Sequence, residues 1–322
     1  MCYILSMQRL LDLPNLQRDV PLAPLTTYRI GGPADWFVAV RNADELVEAV
    51  TAARREEIPY FLLGTGANIL VGDLGFRGLV IHNRADHSAV NGTSVTAESG
   101  TVIADLIDKT ARAGLSGLEH FAGIPSSVGG AVWQNLHFLA PDRVRTLFIE
   151  EVIQSAEILD EDGRRRIVDR DFFQFGYDDS ILHHRPIVVL SVVFQLTPGL
   201  PDAIRHQARE NLAWRAARQP PVDQFPSCGS VFKKIEGVGA GRLIDQAGLK
   251  GRQIGGAQIS PKHANFIVNR GGATAQDVLA LAGLAQAEVR RETGYALEME
   301  IGLVGEFVAP AEDRSRVVLR AD

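Results

Sequence analysis

Tyr60-Phe61-Leu62-Leu63-Gly64-Thr65-Gly66-Ala67-Asn68-Ile69-Leu70 is the stretch on which the fold turns. It opens as a compact apolar run of strand length, and the chain then breaks into a turn carrying two glycines and an asparagine. Glycine at that density leaves main-chain amides open to an anion, because no Cβ blocks the approach and positive φ is accessible. Upstream, Asn42 or Asp44 can cap a helix whose apolar positions Leu46, Val47 and Val50 fall on one face. Downstream, residues 79–81 read as a short strand. Alternating strand and helix signals around such a turn place a phosphate-binding loop at the end of a strand.

Two further glycine-bearing segments share this character. One is Thr26-Thr27-Tyr28-Arg29-Ile30-Gly31-Gly32-Pro33-Ala34. The other is Gly123-Ile124-Pro125-Ser126-Ser127-Val128-Gly129-Gly130-Ala131, with Asn135 following. Any one of them is explained by an ordinary tight turn. Three together, two of them directly after a strand or helix, point to a large phosphate-bearing cofactor. None fits the dinucleotide fingerprint G-x-G-x-x-G, since Ile69 stands where the third glycine belongs. No Walker lysine follows, so NTP hydrolysis is excluded. A fourth segment, Pro226-Ser227-Cys228-Gly229-Ser230-Val231-Phe232-Lys233-Lys234, sets a hydroxyl between a glycine and an aromatic. Serine after glycine is ordinarily a turn residue, and there is no nucleophile elbow, so a hydrolase is not indicated.

The chain has 322 residues, enough for two or three packed units, and its 46% hydrophobic and 22% charged residues are those of a globular protein. No apolar run approaches the roughly 18–20 residues of a membrane span. The start, with a short apolar patch at 3–5, lacks the features of a signal peptide, and Met7 is an alternative initiator. The two cysteines, Cys2 and Cys228, form no C-x-x-C pair, which argues against a disulfide scaffold and a thiolate metal site and for a reducing cytoplasm. Formal net charge is −6. The short groups Arg164, Arg165, Arg166 and Arg290, Arg291 read as solvated faces, so nucleic acid is not an expected partner.

A second unit opens near Val90, with a helix over 102–113 and strands over 152–159 and 187–195. The last of these is apolar enough to be buried on both faces. Thr197-Pro198-Gly199-Leu200-Pro201 is the clearest linker. Beyond it lie a helix over 202–218 and a longer one over 274–293, with Thr274 as N-cap and Val278, Leu281 and Leu284 inward. A closing strand spans 297–303. Its alternation puts Glu298 and Glu300 on one face and does not choose between them. The polar tail beyond Val308 is expected to be mobile.

In order, the segments T-T-Y-R-I-G-G-P-A, L-G-T-G-A-N-I-L-V, G-L-S-G-L-E-H-F-A-G-I-P, C-G-S-V-F-K, A-G-R-L-I-D-Q-A-G-L-K-G, G-A-Q-I-S-P-K-H-A-N-F-I-V-N and L-E-M-E-I resemble the MurB reductases from about Leu22 to Phe307. The resemblance implies an α+β fold: a two-part FAD-binding module of the vanillyl-alcohol-oxidase type, over 22–85 and 86–197, plus a C-terminal α/β substrate domain over 198–310. The tail is 311–322. It implies noncovalent FAD held by Gly64, Thr65, Gly66, Ala67, Asn68 and Ile69 and by Gly123, Ile124, Pro125, Ser127, Val128, Gly129, Gly130, Ala131 and Asn135. Gly31 and Gly32 would hold the module's first strand against its neighbour. The implied activity is NADPH-dependent reduction of UDP-N-acetylglucosamine enolpyruvate to UDP-N-acetylmuramate, a step in peptidoglycan precursor synthesis and so in cell-wall biogenesis, cell shape and division. By position Ser230 matches the proton donor and Glu300 the catalytic glutamate. Tyr177, Arg218 and Lys233 are substrate contacts, His263 and Asn265 are structural candidates, and no metal is implied. The expected partner is a small nucleotide-sugar, with no membrane association, in a monomer or weak homo-oligomer.

The chain departs from the pattern at three places. Tyr177-Asp178-Asp179-Ser180 replaces the usual Tyr-Arg-x-Ser, Ser126 a glycine, and Asn135-Leu136-His137-Phe138-Leu139-Ala140 the usual Asn-Ala-Gly-Ala-Tyr-Gly. In the family that arginine helps the glutamate polarise the substrate carboxylate, so a working reductase needs another cation. Arg185 is the first candidate, because a guanidinium is always charged and grips a carboxylate with two bonds; His183, His184 and His137 follow. Two alternatives remain: a same-fold FAD oxidoreductase with another substrate, and a non-catalytic paralogue binding FAD or a nucleotide-sugar. The lack of an obvious flavin-attachment residue counts against a covalent-FAD oxidase.

Overall fold

The computed structural model describes residues 8–235 and 237–308. The patch at 3–5, Met7 and the 311–322 tail lie outside them. Helix and strand are mixed throughout, around four hydrophobic clusters.

The first unit carries a sheet ordered Gln17–Pro21, Pro33–Val40, Phe76–Asn83, Tyr60–Leu63. The first pairing is antiparallel and the other two are parallel. Helix Ala43–Arg55 connects Pro33–Val40 to Tyr60–Leu63. Asn42 is its cap, accepting from Glu45 N at 2.9 Å, and Leu46, Ala49, Val50, Ala52 and Ala53 bury its inner face. Val47, expected inward, is half-buried at the edge of that stripe.

The second unit is a five-stranded antiparallel sheet ordered Arg165–Asp169, Ile153–Leu159, Val188–Gln195, Ser94–Glu98, Ser88–Asn91. Helices Ile103–Arg112 and Val128–Trp133 cover it. Central strand Val188–Gln195 is buried at five of its first seven positions and serves two clusters: Val188 and Leu190 one, Val189, Val192 and Phe194 the other, with the alternation broken by an irregularity in register at Leu190. Helix Pro201–Arg218 begins beyond the linker, yet it packs on this second unit. Asn211, fully buried, donates to His120 O at 2.8 Å, and Ala208 and Trp214 rest on the same core.

The third unit sets the small sheet Gln253–Ile254, Ala257–Ile259, Ile267–Asn269 against helices Ala240–Gln246 and Ala275–Thr293. Its core takes in Tyr28, Ile30 and Leu70 from the first unit. Tyr28 Oη donates to Ile267 O at 2.8 Å and Asn269 Nδ2 to Tyr28 O at 3.1 Å. Strand Gly302–Val304 then runs parallel to Ile69–Val71, so this segment is stitched to the glycine turn. The strand expected over 297–303 is regular only in that last part; earlier, pairing is reduced to one bridge, Phe232 with Met299.

Candidate active site

The turn after Leu63 is built between two supports. Thr27 N donates to Gly66 O at 3.0 Å. Gly66 has φ +66°, and a Cβ there would stand 2.2 Å from the Leu25 carbonyl oxygen, so only glycine fits. From the other side comes the 123–131 loop. Thr65 Oγ1 donates to Pro125 O at 3.1 Å, and a Cβ on Gly64 would lie 2.5 Å from Ser127 Oγ. Gly31 and Gly32 do a different job: a Cβ on Gly32 would collide with Asp73 O at 2.3 Å, and Gly32 N donates to Gly72 O at 2.9 Å. The first glycine segment props the second and does not face the cavity.

That cavity has a volume of about 2390 Å³, well beyond the roughly 300–1,000 Å³ of a single small-ligand pocket. Gly64, Thr65, Gly66, Ala67, Asn68 and Ile69 line it on one side, and Gly123, Ile124, Pro125, Ser127, Gly129 and Gly130 on the other. Among the described residues, no main-chain acceptor takes the amides of Thr65, Gly66, Ala67 or Asn68. Open amides on glycine turns suit a pyrophosphate, and the volume admits a flavin dinucleotide with a second ligand beside it. These residues fit FAD.

Three expected cofactor residues do not line the cavity. Val128 and Ala131 are fully buried in the second core, because the helix Val128–Trp133 turns one face inward. Asn135, also fully buried, donates to Gly176 O at 2.9 Å and Glu150 Oε1 at 3.2 Å, and so anchors the turn that carries Tyr177 and Asp178.

Elsewhere on the cavity wall, acids and bases from different units meet. Glu300 and Ser230 both line it, and Glu300 N donates to Val231 O at 2.8 Å, which fixes the two segments side by side. The two acids that alternation left equivalent are separated. Glu298 lies at the exposed outer end with its carboxylate on Lys233 Nζ, and Glu300 lies recessed. Burial, and next the Asp178 carboxylate, push the Glu300 carboxyl up to about 8, against the opposing pull of Lys233. The Tyr177 phenol is likewise raised to about 12 by burial, Asp178 and Glu300. His137 Nδ1 stands 3.5 Å from Asp178 Oδ1, with its ring centroid 4.6 Å from that of Tyr177 and 5.3 Å from that of Phe148. His137 is held below the ordinary imidazole value by burial, with Asp178 and the Asn135 main chain pulling it up and Lys234 down.

The other candidate cations are committed elsewhere. Arg185 borders the cavity, but its guanidinium is on Glu161, which removes it as the free cation expected. His184 Nε2 is 3.1 Å from Asp179 Oδ1, and His183 Nε2 is 2.9 Å from Trp133 O. Arg218 does not line the cavity; it is exposed and stacks over the Trp214 ring at 4.5 Å. The cation facing the cavity from that helix is Arg215, three residues earlier, against the Phe138 ring at 5.4 Å and lowered to about 10 by burial. Helical face does not separate the two, because residues three apart are neighbours on the helix surface; they differ in depth, which the sequence pattern does not give. His263 borders the cavity, and Asn265 is structural: Phe232 N donates to its Oδ1 at 3.0 Å and its Nδ2 to Phe232 O at 2.8 Å. No group of three or more metal-ligating side chains is placed to hold an ion among the described residues, and no helix there is long and apolar enough to cross a membrane.

Comparison with known proteins gives the site its context. Residues 34–169 match the FAD binding domain family, and residues 219–304 match the family of the UDP-N-acetylenolpyruvoylglucosamine reductase C-terminal domain. The reductase of that name from Moorella thermoacetica is 42% identical over 89% of this chain and 92% of its own length. The one from a Synechococcus strain is 41% identical over 92% and 93%. The crystal structure of UDP-N-acetylenolpyruvylglucosamine reductase (MurB) from Thermus caldophilus superposes with a TM-score of 0.75 at 35% identity, covering 90% of this chain and 99% of that one. With both family matches in order and relatives of this identity over nearly the full length, the chain belongs to the UDP-N-acetylenolpyruvoylglucosamine reductase family.

Proposed function

We propose that this FAD-dependent oxidoreductase reduces the enolpyruvyl ether of UDP-N-acetylglucosamine to the lactyl ether, with NADPH as the electron source, in the cytoplasm. The observation that carries this reading is the meeting of Ser230 and Glu300 on the wall of the same cavity that the glycine turns line. Bound FAD supplies the two-electron redox chemistry that the side chains lack. The open main-chain amides of residues 65–68 would hold it, with the 123–127 loop lining the opposite wall. Ser230, at a half-buried position on the cavity wall, donates its hydroxyl proton to the α-carbon of the substrate; an alcohol is weak enough an acid that only a strongly basic centre held against it can take the proton. Glu300, protonated below about 8, donates a hydrogen bond to the substrate carboxylate as negative charge builds there, the kind of stabilisation that acts mainly in the transition state. Arg215 is a positively charged wall for substrate phosphates or cofactor, and Lys233 tempers the Glu300 carboxyl.

Incubation of the purified protein with NADPH and UDP-N-acetylglucosamine enolpyruvate tests this directly. Mass spectrometry should show a product two hydrogens heavier, with NADPH consumed in equal amount. Oxidation of NADPH with no change in the sugar nucleotide would favour an oxidoreductase with another substrate.

A further inference from the structure

The proposed substrate carries a carboxylate, and the part of the cavity that must receive it is rich in acid. Glu300 and Asp178 both face this end, and Asp178 raises both Glu300 and Tyr177. An anion entering between two carboxyls needs a cation at hand, or desolvation and repulsion defeat it. Lys233 is engaged by Glu298 and Arg185 by Glu161. Lys234 borders the cavity from an exposed position. One basic side chain lies directly on Asp178: His137. Both stand at positions where the sequence leaves the family pattern, yet they arrive from segments far apart in the chain and meet in the fold.

Their polar atoms are unfinished. Asp178 is 7% exposed, and its Oδ2 is buried with no hydrogen-bond partner; His137 Nδ1 is buried and equally unbonded. Unsatisfied buried polar atoms are rare and costly, and here two lie at the rim of a ligand cavity. The groups facing His137 are Asp178 and Tyr177 from the turn, Lys234 from the third unit, and the uncharged ring of Phe148 from the strand Thr146–Phe148.

Resting on the reductase reading, we propose that His137, oriented by Asp178, is the group that binds the substrate carboxylate in this chain, and that it does so as an imidazolium formed when the substrate enters. The two aromatic rings fix the plane of the imidazole. Asp178 Oδ1 lies 3.5 Å from Nδ1, so protonation on substrate entry gives that nitrogen a carboxylate partner and leaves Nε2 to donate to the substrate. An imidazole that is neutral in the free site and charged in the bound one makes binding take up a proton, so affinity falls as pH rises above the histidine range. A fixed guanidinium would show no such dependence.

The test is calorimetric titration of the oxidised FAD holoenzyme with UDP-N-acetylglucosamine enolpyruvate, without NADPH, near pH 7 in buffers of different ionisation enthalpy. The parent protein should take up close to one proton per substrate, and its Kd should rise about tenfold per pH unit above the histidine range, as one linked proton requires. Glu300 is already protonated near pH 7, so it adds little to that uptake; Glu300→Gln should retain it. His137→Gln should lose both the uptake and the pH slope, with the flavin absorbance spectrum as the check on folding. His184→Gln should behave as the parent. Asp178→Asn, which removes the carboxylate that favours imidazolium, should move the upper pH limit of binding downward. Parent-like proton uptake in His137→Gln, or an unmoved limit in Asp178→Asn, overturns the inference and leaves the reductase reading standing. Failure of the parent to bind the enolpyruvyl compound at all overturns that reading instead.

Discussion

Glu300 keeps its proton at neutral pH because it is buried beside Asp178, and this has consequences for stability as well as chemistry. Its folded-state value of about 8 lies above the ordinary 4.5. Between those limits the native state holds a proton that the unfolded chain has released, so Glu300 makes stability fall as pH rises through this window, with the full loss above about 8. Glu300→Gln should therefore raise the melting temperature at about pH 8.5 and leave it little changed below about pH 4.5, where both states are protonated. Differential scanning calorimetry at the two pH values measures it. Ser230 acts later. Ser230→Ala should preserve flavin reduction by NADPH and slow reoxidation by the enolpyruvyl substrate by about 10²–10⁴, the usual loss for a positioned proton donor; equal slowing of both halves would make Ser230 a packing residue. Single residues were the least legible part of the sequence. Period-two alternation could not separate Glu298 from Glu300, because their difference lies in depth along the segment and not in its face. The basic residues near the turn at 177–180 could be counted from the sequence, but the pairing of Arg185 with Glu161, 24 residues away, could not.

Elements were far more legible, since their signals are local. Asn42 and Thr274 cap the helices expected of them, and the compact run Tyr60–Leu63 is a strand. The glycine turns were read as places where main-chain amides are open to an anion; the structure adds close approaches within the protein. At Gly64 the neighbour is Ser127 of the other loop, so this glycine sets the spacing of the two walls around the cofactor. A methyl group 2.5 Å from Ser127 Oγ must push one wall away. Gly64→Ala should weaken FAD retention more than it lowers the thermal midpoint of the protein with FAD removed, and Gly64→Ala combined with Ser127→Gly should recover part of it. Flavin released per chain on gel filtration is the readout; full retention in Gly64→Ala would show that the walls have slack. The helix Val128–Trp133 shows the limit of reading by segment: the glycine-rich motif was taken as one binding surface, yet helical turning hides Val128 and Ala131 in the core.

At the scale of the whole molecule, the three units are joined by contacts that no local pattern announces. Asp73 belongs to the first unit, but its carboxylate accepts from Ala275 N at 2.8 Å and Gln276 N at 3.1 Å, reaching across to the start of the helix Ala275–Thr293. Asp73→Ala should cost about 1–2 kcal/mol, the upper part of the range for a lost cap, and lower the denaturant midpoint with little change in the flavin spectrum. The same distance hides the position of helix Pro201–Arg218: the proline-rich linker before it marks a break in regular structure, while its packing on the second core depends on Ala208, Asn211 and Trp214 meeting residues some ninety positions earlier. The seam between units carries the proposed reaction, since Ser230 and Glu300 come from one unit and Asp178 and His137 from another, and all four line one cavity. Electron transfer to the substrate at that seam is the central step of the proposed reaction. Anaerobic enzyme, reduced by one equivalent of NADPH and mixed with UDP-N-acetylglucosamine enolpyruvate in a stopped-flow spectrophotometer, should regain its oxidised flavin absorbance rapidly, while UDP-N-acetylglucosamine lacking the enolpyruvyl group leaves it reduced. Reoxidation no faster with the enolpyruvyl compound than with that control would contradict it.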